Sequence, residues 1–135
     1  MSKSNTTEND VIKFMFTAVA MPSYGANLYI SLHTADPGEA GVQNTSEAAY
    51  TGYTRVLVTR DASGFTVSGN QVSNAAEVTF PECTAGSEAI NYVAVGIAAS
   101  GATQILYSGA LTGALNVSAL ITPRFAIGTL IVSED

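Results

Sequence analysis

From Leu28 to Arg60 the chain alternates with period two on either side of a turn. Leu28, Ile30 and Leu32 interleave with Tyr29, Ser31 and His33. Further on, Tyr53 to Arg60 sets Val56 and Val58 on one face and Arg55 and Leu57 on the other. Residues two apart share a face only in extended backbone, so both runs are strands. Between them, Ala35-Asp36-Pro37-Gly38 is turn chemistry: proline pre-sets φ and glycine accepts φ > 0. The loop from Glu39 to Gly52 is long for a compact domain, and such loops tend to be functional or mobile.

The same pattern runs to the C-terminus. Short strands are expected at Phe65–Val67, Ala76–Phe80, Ile90–Ala98, Gln104–Leu111, Val117–Ile121 and Arg124–Val132. Turns separate them at Ala62-Ser63-Gly64, Ser68-Gly69-Asn70, Cys83–Ser87, Ser100-Gly101 and Thr112–Asn116. Gly109 inside a strand marks a bulge or a close backbone approach. About eight short strands with no strand–helix–strand alternation predict a mainly β fold, an antiparallel sandwich or barrel.

The N-terminus differs. Met1 to Thr6 is polar and reads as an arm, with residues 1–8 leading into a helix over 8–20. Thr7 and Asp10 resemble a capping box. Val11, Ile12, Met15, Phe16 and Val19 fall on one helical face, and Pro22 limits the helix. That face is expected to dock on the chain's own sheet. At 135 residues the chain is read as a single domain, 1–135, large enough for one core.

Charge narrows the function. Five basic residues against eleven acidic give a formal net charge of −6. That disfavours nucleic acid and anionic membrane surfaces as partners, since both need a basic face. Between Glu88 and Arg124 there is no charged residue, yet no run of about 20 apolar residues exists to span a membrane. This segment fits strands buried on both faces, strands covered by another chain, or ordinary Ser/Thr-rich strands facing solvent. Nothing at the N-terminus reads as a signal peptide, so assembly in a cytoplasm is expected.

No catalytic, cofactor-binding or metal site is expected. His33 is the only histidine, and no G-x-S-x-G elbow accompanies it. Cys83 is the only cysteine, so no disulfide forms within the chain; it reads as a small, semi-buried apolar residue. Asp36, Glu39 and Glu47 could gather around Ca²⁺, but their spacing matches no EF-hand, and solvated loop carboxylates are the better reading. The tyrosines at 24, 29, 50, 53, 92 and 107 read as half-buried residues with hydroxyls in water.

Several motifs together resemble a family of small phage virion proteins of tail-fibre or head-decorating type. They are Leu32-His33-Thr34-Ala35-Asp36-Pro37-Gly38-Glu39-Ala40-Gly41, then Tyr53 and Arg55 entering the second strand. Ala76–Pro81 (AEVTFP), Tyr92–Ile97 and Ile105–Leu111 (ILYSGAL) follow in the family's order, after a helix in the family's place. The family's tryptophan and its Gly-Asp turn are absent here, and Asn116–Thr122 stands in place of that turn. The resemblance implies a non-enzymatic virion protein with a jelly-roll-like β-sandwich. Its leading implication is a capsid decoration or cement protein that bridges copies of the major capsid protein. A tail or tail-fibre role is the alternative, and a glycan-binding module is a more distant one. Self-association is expected, and Met1–Asp10 and Asp36–Gly52 are the expected contact elements.

Overall fold

The computed structural model describes residues 1–135. Ten strands and one helix make up the chain. In order they are β1 (Ser2–Lys3), α1 (Asn5–Thr17), β2 (Asn27–His33), β3 (Val56–Thr59), β4 (Phe65–Ser68) and β5 (Gln71–Asn74). Then come β6 (Val78–Thr79), β7 (Ser87–Gly96), β8 (Ile105–Ser118), β9 (Arg124–Phe125) and β10 (Ile131–Ser133). The main sheet runs β1-β8-β7-β2-β3; a second runs β10-β5-β4, and β6 pairs with β9. Every pairing is antiparallel, as the alternation predicts.

Register explains where the core lies. Leu28, Ile30 and Leu32 sit opposite Val58, Val56 and Val93 respectively, and Ile30 also sits opposite Val95. Directly opposed residues share a face, so these side chains form one apolar surface. The core joins them to Val78, Phe80, Cys83, Val117 and Leu130. An aromatic series crosses it: Tyr50 meets Tyr53 edge-on at 5.4 Å, Tyr53 stacks on Phe80, and Phe80 meets Phe125 edge-on.

The opposite face of β2 is buried as well, which two strands with solvated outer faces would not give. Ser31 and His33 are fully covered. The cover is the loop Thr34–Thr54, which folds back across the sheet instead of projecting into solvent. Gln43 of this loop is fully buried, with its amide packed over Gly96. A Cβ at Gly96 would stand 2.0 Å from the Gln43 carboxamide carbon.

Several expected boundaries shift for identifiable reasons. The helix starts at Asn5, because Ser4 rather than Thr7 takes the N-cap and accepts the Thr7 N–H on its side-chain oxygen. It ends at Thr17, where Ala18 turns left-handed (φ 56°), ahead of the expected stop at 20. The N-terminal arm is a sheet edge, with Ser2 and Lys3 paired to Ser108 and Tyr107. The expected turn at Thr112–Asn116 and the short strand after it lie largely within the single long strand β8. Between the pairs Ile90–Leu115 and Tyr92–Ala110, β8 advances five residues while β7 advances two. The surplus is a bulge around Gly113, and a local turn pattern is how that bulge reads in sequence. The expected final strand divides into β9 and β10, with Asn74 gripping the segment between them through Ala126 O and the Leu130 N–H. Gly109 is a close approach, with Met1 seated where a side chain would be.

Gly96→Ala should destabilise the fold by about 1–3 kcal/mol, because the buried Gln43 amide cannot yield without losing its hydrogen bonds. Urea unfolding measures this. In the double variant Gln43→Ala/Gly96→Ala the two losses should sum to less than their separate values.

Candidate functional site

Of the residues that sequence reasoning singled out, Arg55, Glu47, Tyr53 and His33 gather where the loop folds back, and there they serve the fold. Arg55 enters the sheet edge with its side chain 2% exposed. Its Nε donates to Glu47 Oε1 at 2.7 Å, and Nη2 donates to Glu47 Oε2 at 2.9 Å. Nη2 also donates to Gly101 O, and Nη1 donates to Ala98 O and Thr103 Oγ1. All five guanidinium N–H groups therefore have acceptors. Thr103 Oγ1 passes its own proton to Gln43 Oε1 (2.7 Å), and Tyr53 OH donates to Glu47 and accepts the Leu32 N–H. Burial pushes the Tyr53 hydroxyl far above its ordinary range. Glu47 is thus an ion-pair partner, not a solvated loop carboxylate, and it does not converge with Asp36 or Glu39. Asp36 caps its own turn by accepting the Gly38 N–H.

His33 is equally committed. Its Nδ1 lies 2.8 Å from the Thr45 carbonyl, which can only accept, so Nδ1 carries the proton. Nε2 then accepts from Ser31 Oγ at 2.9 Å. Burial is the main force holding its pKa below 6.5; the Thr45 carbonyl and the charge of Glu47 oppose it more weakly. Both ring nitrogens are occupied by the protein's own groups. Cys83 is fully buried, with its thiol toward Ala85 O. Tyr50 is buried too, its hydroxyl donating to Pro81 O and its pKa pushed up to about 12, chiefly by burial. The expectation of tyrosine hydroxyls in water therefore fails for Tyr50 and Tyr53, loop residues that pack inward against each other and, through Tyr53, on Phe80.

Two anchors went unseen in the sequence. Glu88 accepts the N–H groups of Ala49 and Tyr50, pinning the far end of the loop. Gln43 joins the loop to Ala98 and Tyr29. The one signal for Glu88 is that it is the last charge before the uncharged segment.

What remains on the surface is apolar. The second half of α1 and its exit expose Ile12, Phe14, Met15, Phe16 and Val19, each more than half exposed. Only Thr7 of the helix is buried, which overturns the expectation that α1 docks on its own sheet. The helix is tethered at its base instead. Ser4 and Thr7 bond to the Ile105 carbonyl, and Gln104 donates to Thr7 and Asp10. A second apolar feature is a groove of about 500 Å³ between the two larger sheets, lined by Leu28, Phe65, Val67, Val72 and Val132 among others. Third, β8 beyond Ser108 has no partner on its outer side, and Ala110, Thr112, Gly113 and Ala114 are exposed there. No helix is long and apolar enough to cross a membrane.

The chain is thus an antiparallel β-body whose His33, Arg55 and Glu47 side chains are bonded internally, with apolar features left outside. The chain belongs to the family described as podophage GP4 fiber I protein gp80, whose sequence profile matches residues 2–133. It is thus a member of a phage structural-protein family. A search of curated proteins returned no match.

Breaking the ion pair should be severe. Glu47→Ala leaves a buried guanidinium uncompensated and should cost about 3–5 kcal/mol. Arg55→Met should cost less, because Glu47, the more exposed partner, can regain water. Denaturant midpoints of the two variants check the order.

His33 gives a pH dependence. Its folded pKa is depressed, so its contribution is complete above the unfolded value of 6.5 and is lost as pH falls through the lower folded value. Thermal unfolding between about pH 7.5 and pH 5 should therefore show acid destabilisation, and His33→Gln should flatten it.

Proposed function

We propose that this protein is a tail- or fibre-associated structural component of a phage particle and has no catalytic role. The observation that carries the reading is the family match, which spans 2–133 and names a fibre protein. The geometry supports it. The histidine, the cysteine and the buried tyrosines all serve the fold, while the exposed features suit protein contacts. Location in the virion follows from the same reading.

Capsid decoration is a second reading, favoured by one observation. The uncharged segment 89–123 includes the free outer edge of β8, a surface that a neighbouring shell subunit such as the major capsid protein could cover. Both readings use protein contacts through this edge, the N-terminal elements and the outward residues of Asp36–Gly52. Their difference lies in number.

Quantitative mass spectrometry of purified particles against the major capsid protein distinguishes them. A few copies to a few dozen copies per particle is the expected result. A ratio near one, or a simple fraction of it, would assign the chain to the shell, and absence from the particle would refute both readings. Within either reading, Thr112→Lys/Ala114→Glu should lower incorporation, because charge on a free edge blocks pairing. The melting temperature should stay unchanged, as both side chains are exposed.

A further inference from the structure

We infer that the projecting helix α1 is a self-association element, and that its apolar surface is covered by the same helix of further copies of this chain. The inference does not depend on where in a particle the chain resides.

The first observation is the shape of the apolar surface. At about 100° per residue, Phe14, Val11, Met15, Ile12 and Phe16 occupy an arc roughly 200° wide, leaving Lys13 and Thr17 opposite. One docking face needs an arc of roughly 100°. A flat sheet surface would cover only part of this helix. Neighbouring helices on two sides would cover all of it.

The second observation is area. Ile12, Phe14, Met15, Phe16 and Val19 are 57%, 54%, 63%, 77% and 52% exposed. Together they leave roughly 600 Å² of apolar surface per copy, close to the 800 Å² per partner of a standard interface. That is enough for stable association, and it is concentrated on one element.

The third is charge. From Val11 to Ser23 the only charged residue is Lys13, and it lies outside the arc; Glu8 shares the arc's angular range one turn before Ile12, so the contact free of like charge is the second half of the helix. The acids of the helix, Glu8 and Asp10, lie in its first half, and Asp10 is held by Gln104. Cover on two sides needs at least three copies, with their helices packed around a common rotation axis.

The apolar groove of the body is the competing occupant. A helix seated in a neighbour's groove would touch Val67 and Val72 instead of another helix. Three measurements on the full chain separate the cases. Sedimentation across a micromolar to submillimolar range should show concentration-dependent association. Met15→Ser/Phe16→Ser should weaken it at least about tenfold. At concentrations where the parent chain is monomeric, the urea midpoint should not move, because Met15 and Phe16 are mostly exposed in one copy, and Phe16→Leu should retain association. Met15→Cys should crosslink to itself on oxidation, with Cys83 buried out of reach. A monomer throughout the range, or undiminished association in the double serine variant, would overturn the proposal. So would a Met15→Cys chain that crosslinks to a Val67→Cys chain and not to itself.

Discussion

The guanidinium of Arg55 is the fixed point of this molecule. Burying an ion pair costs several kcal/mol per ion in lost hydration, and Coulomb attraction offsets that cost only when the remaining donors and acceptors are satisfied. Here they are. Five N–H groups meet a bidentate carboxylate, two carbonyls and a hydroxyl. The satisfied pair ties together three segments far apart in sequence: the loop carrying Glu47, the edge strand leading from Arg55, and the turn from Ala98 to Thr103. Such a network has one good geometry, so it specifies where the loop must lie as well as holding it there.

With the loop placed, much else follows. Gln43 sits over Gly96, His33 takes the tautomer that Thr45 dictates, and β2 is buried on both faces. This divides the uncharged segment into two parts with different causes. In β7, Val93 to Gly96 are all buried, so charge is absent because the chain covers itself there. In β8, Ala110 to Ala114 lack charge while mostly exposed, and no internal cover explains it. Only the second part is left without a cause inside the chain.

Period-two alternation made the strands legible, because one-sided burial writes itself into every second residue. The turn at Asp36–Gly38 was legible from local chemistry alone. The role of Glu47–Arg55 was not: two opposite charges eight apart in a loop and a strand look like solvated residues unless the fold-back of the loop is known. The β8 bulge was misread because Thr112-Gly113 has turn composition, and only the register against β7 distinguishes a bulge from a turn. The apolar face of α1 was read correctly; its docking was not, since periodicity shows that a face seeks cover and cannot show whose surface provides it.

That last case carries a thermodynamic consequence. A helix of 13 residues is marginal in water unless its apolar face is packed. The polar tether at Ser4, Thr7 and Gln104 secures its first turns. The second half, with Phe14, Met15 and Phe16, gains nothing from the body of its own copy. Helical order there and cover of the apolar arc are one equilibrium: whatever covers the arc also orders the helix, and the free energy of contact is reduced by the entropy of ordering. The residues that would supply that contact are thus also the ones whose conformation depends on it. The β-body, anchored by Arg55, does not share this dependence. The fold thus holds a scaffold fixed by internal contacts beside an element whose apolar half has no cover within its own copy.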